Sequence, residues 1–214
     1  MKRFIPHLLV SFFALSLQAE HPAPDAEGFV TIFDGSSMEH LETEGNWKVA
    51  EDGSLVLEPR EGEEGWTRYH HYLWLKETYG DFVFDFEYKL PAGGNSGFYF
   101  RAADRSDPVA SGYEVQIMDS SGKPDDEMGP HDLGGIIKTK GASKNMSREP
   151  GEWSRMTVRL EDGQLIVTLN GEVIQDFDLA EEKPEGKELA DEGLLSIQDH
   201  GQPFAVRNLR VKRL

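Results

Sequence analysis

The sequence predicts an all-β fold, an antiparallel two-sheet sandwich whose simplest form is a jelly roll. Apolar and polar side chains alternate with a period of two from residue 28 onward, and helical spacing is hard to find. Turn dipeptides separate the alternating runs where hairpins require them. Because parallel strands need long crossover connections, this succession of short strands without helices favours two packed antiparallel sheets.

The chain begins with a segment that has the layout of a secretory signal peptide. Lys2 and Arg3 precede an apolar run over residues 8–17, and the small residue Ala19 stands before a polar stretch. The apolar run is shorter than the roughly 20 residues that cross a bilayer as a helix, so no stable membrane insertion is expected. We therefore expect a signal peptide over residues 1–19, a flexible leader over 20–27, and one jelly-roll domain over 28–214 of an exported, periplasmic or extracellular protein.

Strands follow one another along the predicted domain. The run at 82–90 alternates most clearly, with four aromatic side chains on one face. Asn170-Gly171 predicts a tight hairpin turn with positive φ at both residues, and Asp162-Gly163 separates the preceding pair of runs. The predicted strands cover residues 30–33, 47–49, 55–57, 72–75, 82–90, 97–101, 113–118, 156–160, 165–169, 173–177, 194–198 and 206–212.

Composition excludes several classes of function. The chain holds 22 Lys and Arg against 39 Asp and Glu, a formal net charge of −17, which repels nucleic acids and anionic membranes. It contains no cysteine, which excludes a disulfide framework, a thiolate metal site and a cysteine nucleophile. A divalent cation such as calcium would need oxygen or imidazole ligands. The acidic segment 125–132 offers oxygens but lacks regular ligand spacing, so no metal ligand is assigned.

Polar side chains collect on one face of the predicted strand at 113–118. Tyr113 and Val115 alternate with Glu114 and Gln116, so the apolar pair is expected to face the core. Glu114 and Gln116 then project together from the opposite face of the sheet.

Two other segments carry the same kind of face. Asn95, Tyr99 and Arg101 alternate with apolar residues, and Gln198 and His200 do so near the C-terminus. If these strands are neighbours, their polar side chains form one patch with Glu114. Such a patch combines a carboxylate, an imidazole and a guanidinium, which supply a base, an acid and an anion stabiliser.

Two interpretations of this patch stay open. A polar face with a period of two is most often plain solvated sheet surface. Asn, Gln, Arg, Tyr and Trp are, however, the side chains that bind sugar hydroxyls and stack on sugar rings. The candidate sugar-binding residues are Gln116, Asn95, Tyr99, Gln198, Asp199 and Trp66.

Several blocks of the chain, in order from residue 28 to residue 214, match a known domain. They include YGDFVFDFEYKLPAGGNSGFYFRA, GYEVQIMD and LLSIQDHGQPFAVRNLRVKRL. These blocks resemble the 3-keto-disaccharide hydrolase domain, formerly a domain of unknown function, whose fold is a concanavalin-like jelly roll. The resemblance implies an enzyme that cleaves the glycosidic bond of glycosides or disaccharides oxidised to a ketone at C3.

The chemistry that the resemblance implies fits the predicted patch. A C3 ketone acidifies the proton on C2, so a base can remove it and expel the C1 oxygen, after which water adds to give net hydrolysis. On this hypothesis either Glu114 or His200 is the base and the other is the acid for the leaving group. Arg101 would stabilise the enolate oxygen.

Two other functions stay open. A conventional glycosidase needs two carboxylates about 5 to 9 Å apart, and Asp85 or Glu87 would have to supply the second one. A non-catalytic carbohydrate-binding module would use the sandwich with an aromatic platform of Trp66, Tyr69 and Trp74. In each case the expected partner is a carbohydrate rather than a nucleic acid.

Overall fold

A computed structural model describes residues 27–182 and 190–214 of the chain. The predicted signal peptide and residues 20–26 of the predicted leader lie outside these described residues. In the described part, thirteen strands form two antiparallel sheets with a shared core between them. This arrangement confirms the predicted all-β jelly-roll sandwich.

The two sheets have eight and five strands. The larger sheet has the order β11-β10-β9-β6-β13-β4-β3, with β1 also paired to β13, and the smaller has the order β2-β5-β12-β7-β8. A four-residue helix, α1 (Pro108–Ser111), lies between β7 and β8. The strands are β1 (Val30–Phe33), β2 (Leu41–Glu42), β3 (Trp47–Val49), β4 (Leu55–Leu57), β5 (Leu73–Tyr79), β6 (Phe82–Lys89), β7 (Asn95–Ala102), β8 (Tyr113–Met118), β9 (Ser154–Glu161), β10 (Gln164–Leu169), β11 (Glu172–Asp178), β12 (Gly193–Ile197) and β13 (Phe204–Arg213).

The core between the sheets is rich in aromatic rings. Phe82, Phe84 and Phe86 of β6 are fully buried there. The ring of Phe84 stacks on that of Phe98 from the opposite sheet, with the ring centroids 4.8 Å apart. Since side chains alternate along each strand, every second residue of the smaller sheet is left for its outer face. That outer face carries the candidate site.

Hairpin turns form where the dipeptides predict them. The φ angles are 50° and 89° at Asn170 and Gly171, and 49° and 86° at Asp162 and Gly163. Two successive positive φ angles are typical of type I′ turns, which match the twist of the strands they join. Asn170 adds a tertiary contact, because its Oδ1 accepts a hydrogen bond from the backbone N–H of Arg155 at 3.0 Å.

The long segment between β8 and β9 folds onto the edge of the smaller sheet. Ile136 is buried and forms an isolated bridge with Val115 of β8. Asn145 fixes the segment, because its Nδ2 donates to the backbone carbonyls of Ser120 and Lys123, each at 2.7 Å. The edge strand β8 is therefore partly covered, which protects it from pairing with other chains.

Several predicted strands differ from the observed ones by one or two residues at their ends, and two elements differ by more. The strand β2 is not predicted, because two residues are too few to show a period. The strand β5 continues to Tyr79, beyond the predicted end at Leu75. The prediction stops there because Lys76, Glu77 and Thr78 are all exposed, so the sequence shows no alternation over these residues. No helix of the described residues has the length and apolar character needed to span a membrane.

Candidate active site on the outer face of the smaller sheet

A layer of buried aromatic rings covers part of this outer face. Tyr72 and Trp74 at the start of β5 cluster with Tyr99 of β7, and Tyr69 packs against them at the rim. The ring centroid of Tyr72 lies 6.0 Å from that of Trp74 and 5.6 Å from that of Tyr99. Tyr72, Trp74 and Tyr99 are buried, so this layer supports the site from below, and the partly exposed ring of Tyr69 is the one that a sugar ring can reach.

Glu114 of β8 is held beside this layer by two hydrogen bonds. The hydroxyl of Tyr99 donates to its Oε2 at 2.6 Å, and Nε2 of Gln198 donates to its Oε1 at 3.2 Å. Burial and the negative charge of Glu114 raise the pKa of Tyr99, which keeps its hydroxyl protonated as a donor. The structure thus brings three of the predicted site residues into direct contact.

Gly97 makes room for this carboxylate. Gly97 pairs with Gln116 across β7 and β8, and a Cβ placed on Gly97 would collide with Oε1 of Glu114. Any side chain at this position would therefore displace Glu114. Gln116 itself is only 6% exposed, so it offers a ligand much less surface than the sequence analysis expects.

His200 lies at the other end of the site, next to Asn95. Nδ2 of Asn95 and Nε2 of His200 are 3.3 Å apart, and Asn95 projects from the same face of β7 as Gly97 and Tyr99. Burial lowers the pKa of His200 below its ordinary value of 6.5. At neutral pH the imidazole is therefore mostly uncharged and can accept a proton.

Asp199 is fully buried and lies in an ionic network. Nη2 of Arg68 donates to its Oδ1 at 3.1 Å, and Nδ1 of His71 lies 3.8 Å from its Oδ2. Burial raises the pKa of Asp199 and lowers the pKa of His71. Since its carboxylate is closed off from solvent, Asp199 anchors the backbone between Gln198 and His200 rather than lining the open site.

Two buried amide oxygens at the site have no hydrogen-bond donor in the described part of the chain. They are Oε1 of Gln198 and Oδ1 of Asn95. Buried polar atoms are nearly always paired in folded proteins, because leaving one unpaired costs about 1–3 kcal/mol. Both oxygens are closed off from solvent, so a sugar hydroxyl would donate to them only after neighbouring side chains move.

The prediction that Arg101 joins this patch is wrong. Arg101 has a φ of 50°, and the pairing of β7 with β12 shifts register between Leu194 and Ser196. This irregularity reverses the alternation, so that Ala102 instead of Arg101 packs against the aromatic layer. The guanidinium of Arg101 turns to Asp81, with Nη2 and Oδ1 3.4 Å apart.

Asp85 and Glu87 do not supply a second carboxylate to the site. Both belong to β6 of the larger sheet and face away from its buried aromatic side. Asp85 is 1% exposed and accepts hydrogen bonds from Nε of Arg155 at 2.9 Å and Nε of Arg210 at 2.8 Å. Glu87 is paired in the same way with Arg207. The conventional glycosidase alternative loses both of its proposed partners for Glu114.

No group of three or more His, Asp and Glu side chains in the described residues is arranged to hold a metal ion. In the acidic segment, Oδ2 of Asp132 accepts hydrogen bonds from Nζ of Lys123 and the backbone N–H of Gly129, each at 2.7 Å. Oδ1 of Asp125 accepts from the backbone N–H of Asn145 at 2.8 Å. These carboxylates therefore stabilise the segment itself.

The segment at 66–74 contributes more to the site than the sequence analysis predicts. Trp66 is 39% exposed, its ring centroid lies 6.2 Å from that of Tyr69, and its carbonyl accepts a hydrogen bond from the hydroxyl of Tyr72. The guanidinium of Arg68 does not take the role expected of Arg101, because it is bonded to Asp199, to Nδ1 of His71 and to the carbonyls of Glu64 and Gly65. Trp66, Tyr69 and Trp74 of this segment are predicted from the sequence, whereas Tyr72 is missed, although the density of aromatic side chains in TRYHHYLW could have revealed it.

Comparisons with known proteins agree with this fold. The 3-keto-disaccharide hydrolase of Bacteroides thetaiotaomicron is 25% identical, over 89% of this chain and 80% of that protein. The crystal structure of a candidate glycosyl hydrolase from Parabacteroides distasonis has a TM-score of 0.73 at 23% identity, covering 91% of this chain and 99% of its own. The carbohydrate-binding module CBM66 of Bacillus subtilis shares the fold with a TM-score of 0.54 at 12% identity, over 86% and 95% of the two chains. The model of the 3-keto-alpha-glucoside-1,2-lyase-like domain matches residues 28–212, and the chain therefore belongs to that family of glycosyl-hydrolase-like proteins.

Proposed function

We propose that this protein cleaves the glycosidic bond of glycosides whose sugar carries a ketone at C3, with the neutral imidazole of His200 and the carboxylate of Glu114 as its proton-transfer groups. The family and the name of the 25% identical relative support this substrate class. The observation that carries the proposal is the outer face of the smaller sheet. There a carboxylate, a neutral imidazole and two unpaired amide oxygens share one face with a layer of aromatic rings.

The first half of the reaction is an elimination. The ketone makes the C2 proton acidic, and the neutral ring of His200 accepts this proton. The electron pair of the C2–H bond forms a C1–C2 double bond through the enolate, the bond from C1 to the glycosidic oxygen breaks, and the imidazolium of His200 gives that oxygen the proton it took from C2. The products are the free alcohol and a 1,2-unsaturated 3-keto sugar.

The second half adds water to this unsaturated sugar. The carboxylate of Glu114 takes a proton from water as the water oxygen bonds to C1, and the resulting carboxyl group gives this proton to C2. Both side chains recover their starting states, and the sum of the two halves is hydrolysis. Gln198 and Asn95 accept hydrogen bonds from sugar hydroxyls, which orients the ring.

Incubation of the purified protein with a 3-keto glucoside and its unoxidised parent tests this proposal. We expect cleavage of the keto glucoside alone, with or without a chelator. Glu114→Gln and His200→Ala should each lower turnover about 100-fold or more, because each removes a proton-transfer group. Glu58→Gln, which removes only an exposed partner of Lys48, is the matched control. Equal cleavage of the parent sugar would contradict the keto-dependent mechanism.

A non-catalytic carbohydrate-binding module is the second candidate function. The half-exposed Trp66 beside Tyr69 favours it, because such platforms bind sugar rings without cleaving them. Binding of neutral sugars without turnover of any 3-keto glycoside would support this alternative and exclude the enzyme.

We also propose that the protein is exported, because residues 1–19 have the layout of a signal peptide. Mass spectrometry of the protein recovered from the periplasm of a Gram-negative expression host should find a chain that begins at Glu20. An intact N-terminus on a cytoplasmic product would contradict export.

A further inference from the structure

A groove of about 680 Å³ opens beside the candidate site. Its floor includes Trp74 and Tyr69 of the aromatic layer. Its rim comes from the β2 region at Glu42 and Glu44, from the exposed Thr67, and from Arg105 after β7. The mechanism proposed above uses none of these residues, although the groove is large enough for a small-molecule ligand.

Tyr69 connects this groove to the catalytic carboxylate. The ring of Tyr69 meets that of Tyr72 edge-on at 5.7 Å, and Tyr72 in turn contacts Tyr99, whose hydroxyl binds Glu114. Tyr72 also lies between Gln198 of the candidate site and Tyr69 of the groove. A substrate with its oxidised ring at Asn95 and Gln198 would therefore extend over Tyr72 into the groove.

The charges on the rim favour an uncharged occupant. The guanidinium of Arg105 lies 5.5 Å from the ring centroid of Trp74 and forms an ion pair with Glu42. Glu44 is exposed, and its carboxylate lies 4.0 Å from Nε2 of His70. Since Glu42 already neutralises Arg105, Glu44 leaves the rim negative, and a negative rim repels anions.

We propose that this groove is the subsite for the leaving group, and that it accepts an uncharged pyranose ring and disfavours leaving groups that carry a carboxylate or phosphate. The proposal rests on the proposed function. The partly exposed ring of Tyr69 provides the stacking surface, while Thr67, Arg105 and Glu42 provide hydrogen-bonding groups for hydroxyls.

Narrowing the groove tests where the leaving group binds. Thr67→Trp should lower kcat/KM for a 3-keto disaccharide with a glucose leaving group about tenfold, because the new ring fills space that this glucose needs. The value of kcat/KM for methyl 3-keto glucoside, whose leaving group is too small to occupy the groove, should change less than about twofold. Thr31→Trp, on an exposed position of β1 in the larger sheet, is the matched control and should change neither substrate. Equal losses on both substrates, or no loss on the disaccharide, would overturn the proposal.

Reversing the rim charge tests the preference for uncharged rings. For wild-type protein, a glucuronate leaving group should react more slowly than a glucose leaving group. Glu44→Lys should reduce the ratio of the glucose rate to the glucuronate rate by about threefold or more. High salt should also reduce this ratio for wild-type protein, because it screens the charge of the rim. Glu51→Lys, in the β3–β4 turn, is the control. An unchanged preference in Glu44→Lys would contradict the assigned role of the rim.

A separate measurement distinguishes failure of the groove from failure of the proposed function. If wild-type protein cleaves no 3-keto glycoside, the proposed function is wrong, and calorimetric titration with an unoxidised neutral disaccharide then decides on the groove. Weaker binding to Thr67→Trp than to wild type and Thr31→Trp supports the groove as a sugar subsite. Equal binding to all three proteins, or binding to none, overturns it.

Discussion

Gly97 fixes the position of the carboxylate of Glu114, because Oε1 of Glu114 occupies the space that a Cβ would take. Its φ is not in the left-handed region, so alanine suits its backbone. We expect Gly97→Ala to lower kcat/KM on a 3-keto glucoside about 100-fold, since a catalytic group displaced by about 1 Å costs that much. Kinetics and chemical denaturation together should find a large loss of activity in a protein that remains folded.

The double variant Gly97→Ala with Glu114→Gln is the control for this prediction. If Gly97 acts through Glu114, the added alanine should change the rate of Glu114→Gln little, because coupled residues are not additive. A further loss in the double variant as large as in the single one would contradict this link.

His200 determines the acid side of the predicted pH profile. As a base it must be uncharged, and burial lowers its pKa below 6.5, so kcat/KM should rise with pH through a midpoint below pH 6.5 and then level off. Activity is then retained above this pKa and lost as the pH falls through it. A pH titration of kcat/KM measures the midpoint. The residual activity of His200→Ala should not show this rise of kcat/KM with pH. A midpoint above pH 6.5 in wild-type protein would contradict the assignment of His200 as the base.

Alternation alone correctly places Glu114, Tyr99 and Asn95 on one face, because a regular strand requires it. It fails at Arg101, since a positive φ at a residue other than glycine leaves no signal in the sequence. The sugar-binding candidates wrongly include Asp199, whose burial against Arg68 could not be predicted because that contact joins residues far apart in the chain.

At the scale of elements, Asn170 gives the β10–β11 hairpin both its turn and its anchor. Besides its contact with Arg155, its Nδ2 donates to the carbonyl of Met146 at 2.9 Å, and the residue is 5% exposed. Asn170→Ala should lower the free energy of unfolding by about 2–4 kcal/mol, because it strains a positive φ and leaves buried backbone groups unpaired. Chemical denaturation measures the loss.

Asn208 is the matched control for this turn. It has a similar φ of 54°, but its Nδ2 donates to Glu87 at an exposed position. Asn208→Ala should cost only the backbone strain, about 1–2 kcal/mol. Equal losses for the two variants would show that the buried hydrogen bonds of Asn170 contribute nothing.

The elements that sequence reasoning predicts best are those with regular alternation and tight turns. The predicted strand at 113–118 coincides with β8 (Tyr113–Met118). The aromatic face of β6 is buried as predicted. The groove on the outer face could not be predicted in this way, because its rim joins β2, the segment before β5 and a loop after β7 through contacts distant in sequence.

For the whole molecule, Asp85 links three strands of the larger sheet. Burial alone would raise its pKa, but hydrogen bonds from Arg155, Arg210 and Thr157 outweigh burial and hold the pKa below its ordinary value of 3.8. A carboxylate with a lowered pKa stabilises the folded state above its unfolded pKa and loses this effect as the pH falls through its folded value. Asp85→Asn should therefore cost about 3 kcal/mol at pH 7, because it leaves two arginines without their shared partner.

Denaturation of wild type and Asp85→Asn between pH 7 and pH 2 measures this effect. The difference in stability should stay constant down to about pH 4 and shrink below it. Glu172→Gln, which removes the exposed partner of Lys144, is the control and should change stability little. A difference between wild type and Asp85→Asn that does not depend on pH would contradict the role of the charge.

The two sheets show why a functional face is hard to identify from sequence. Asp85 and Glu87 alternate with core residues just as Glu114 and Gln116 do. The structure separates them by their partners, since the first pair binds arginines whereas Glu114 binds the uncharged groups of Tyr99 and Gln198. Composition and periodicity predict the sandwich, but only tertiary contacts distinguish its structural outer face from the candidate site.

Asn145 has a practical consequence for producing the protein. Asn145-Met146-Ser147 has the pattern of an N-glycosylation acceptor, yet Nδ2 already donates to two backbone carbonyls. A glycan bonded to that nitrogen would replace one of its two hydrogens. The segment that covers β8 would then lose one of the two hydrogen bonds by which Asn145 holds it. Material secreted from yeast or mammalian cells should therefore be homogeneous when the chain folds before the oligosaccharide is transferred, and should lose order in this segment when transfer comes first.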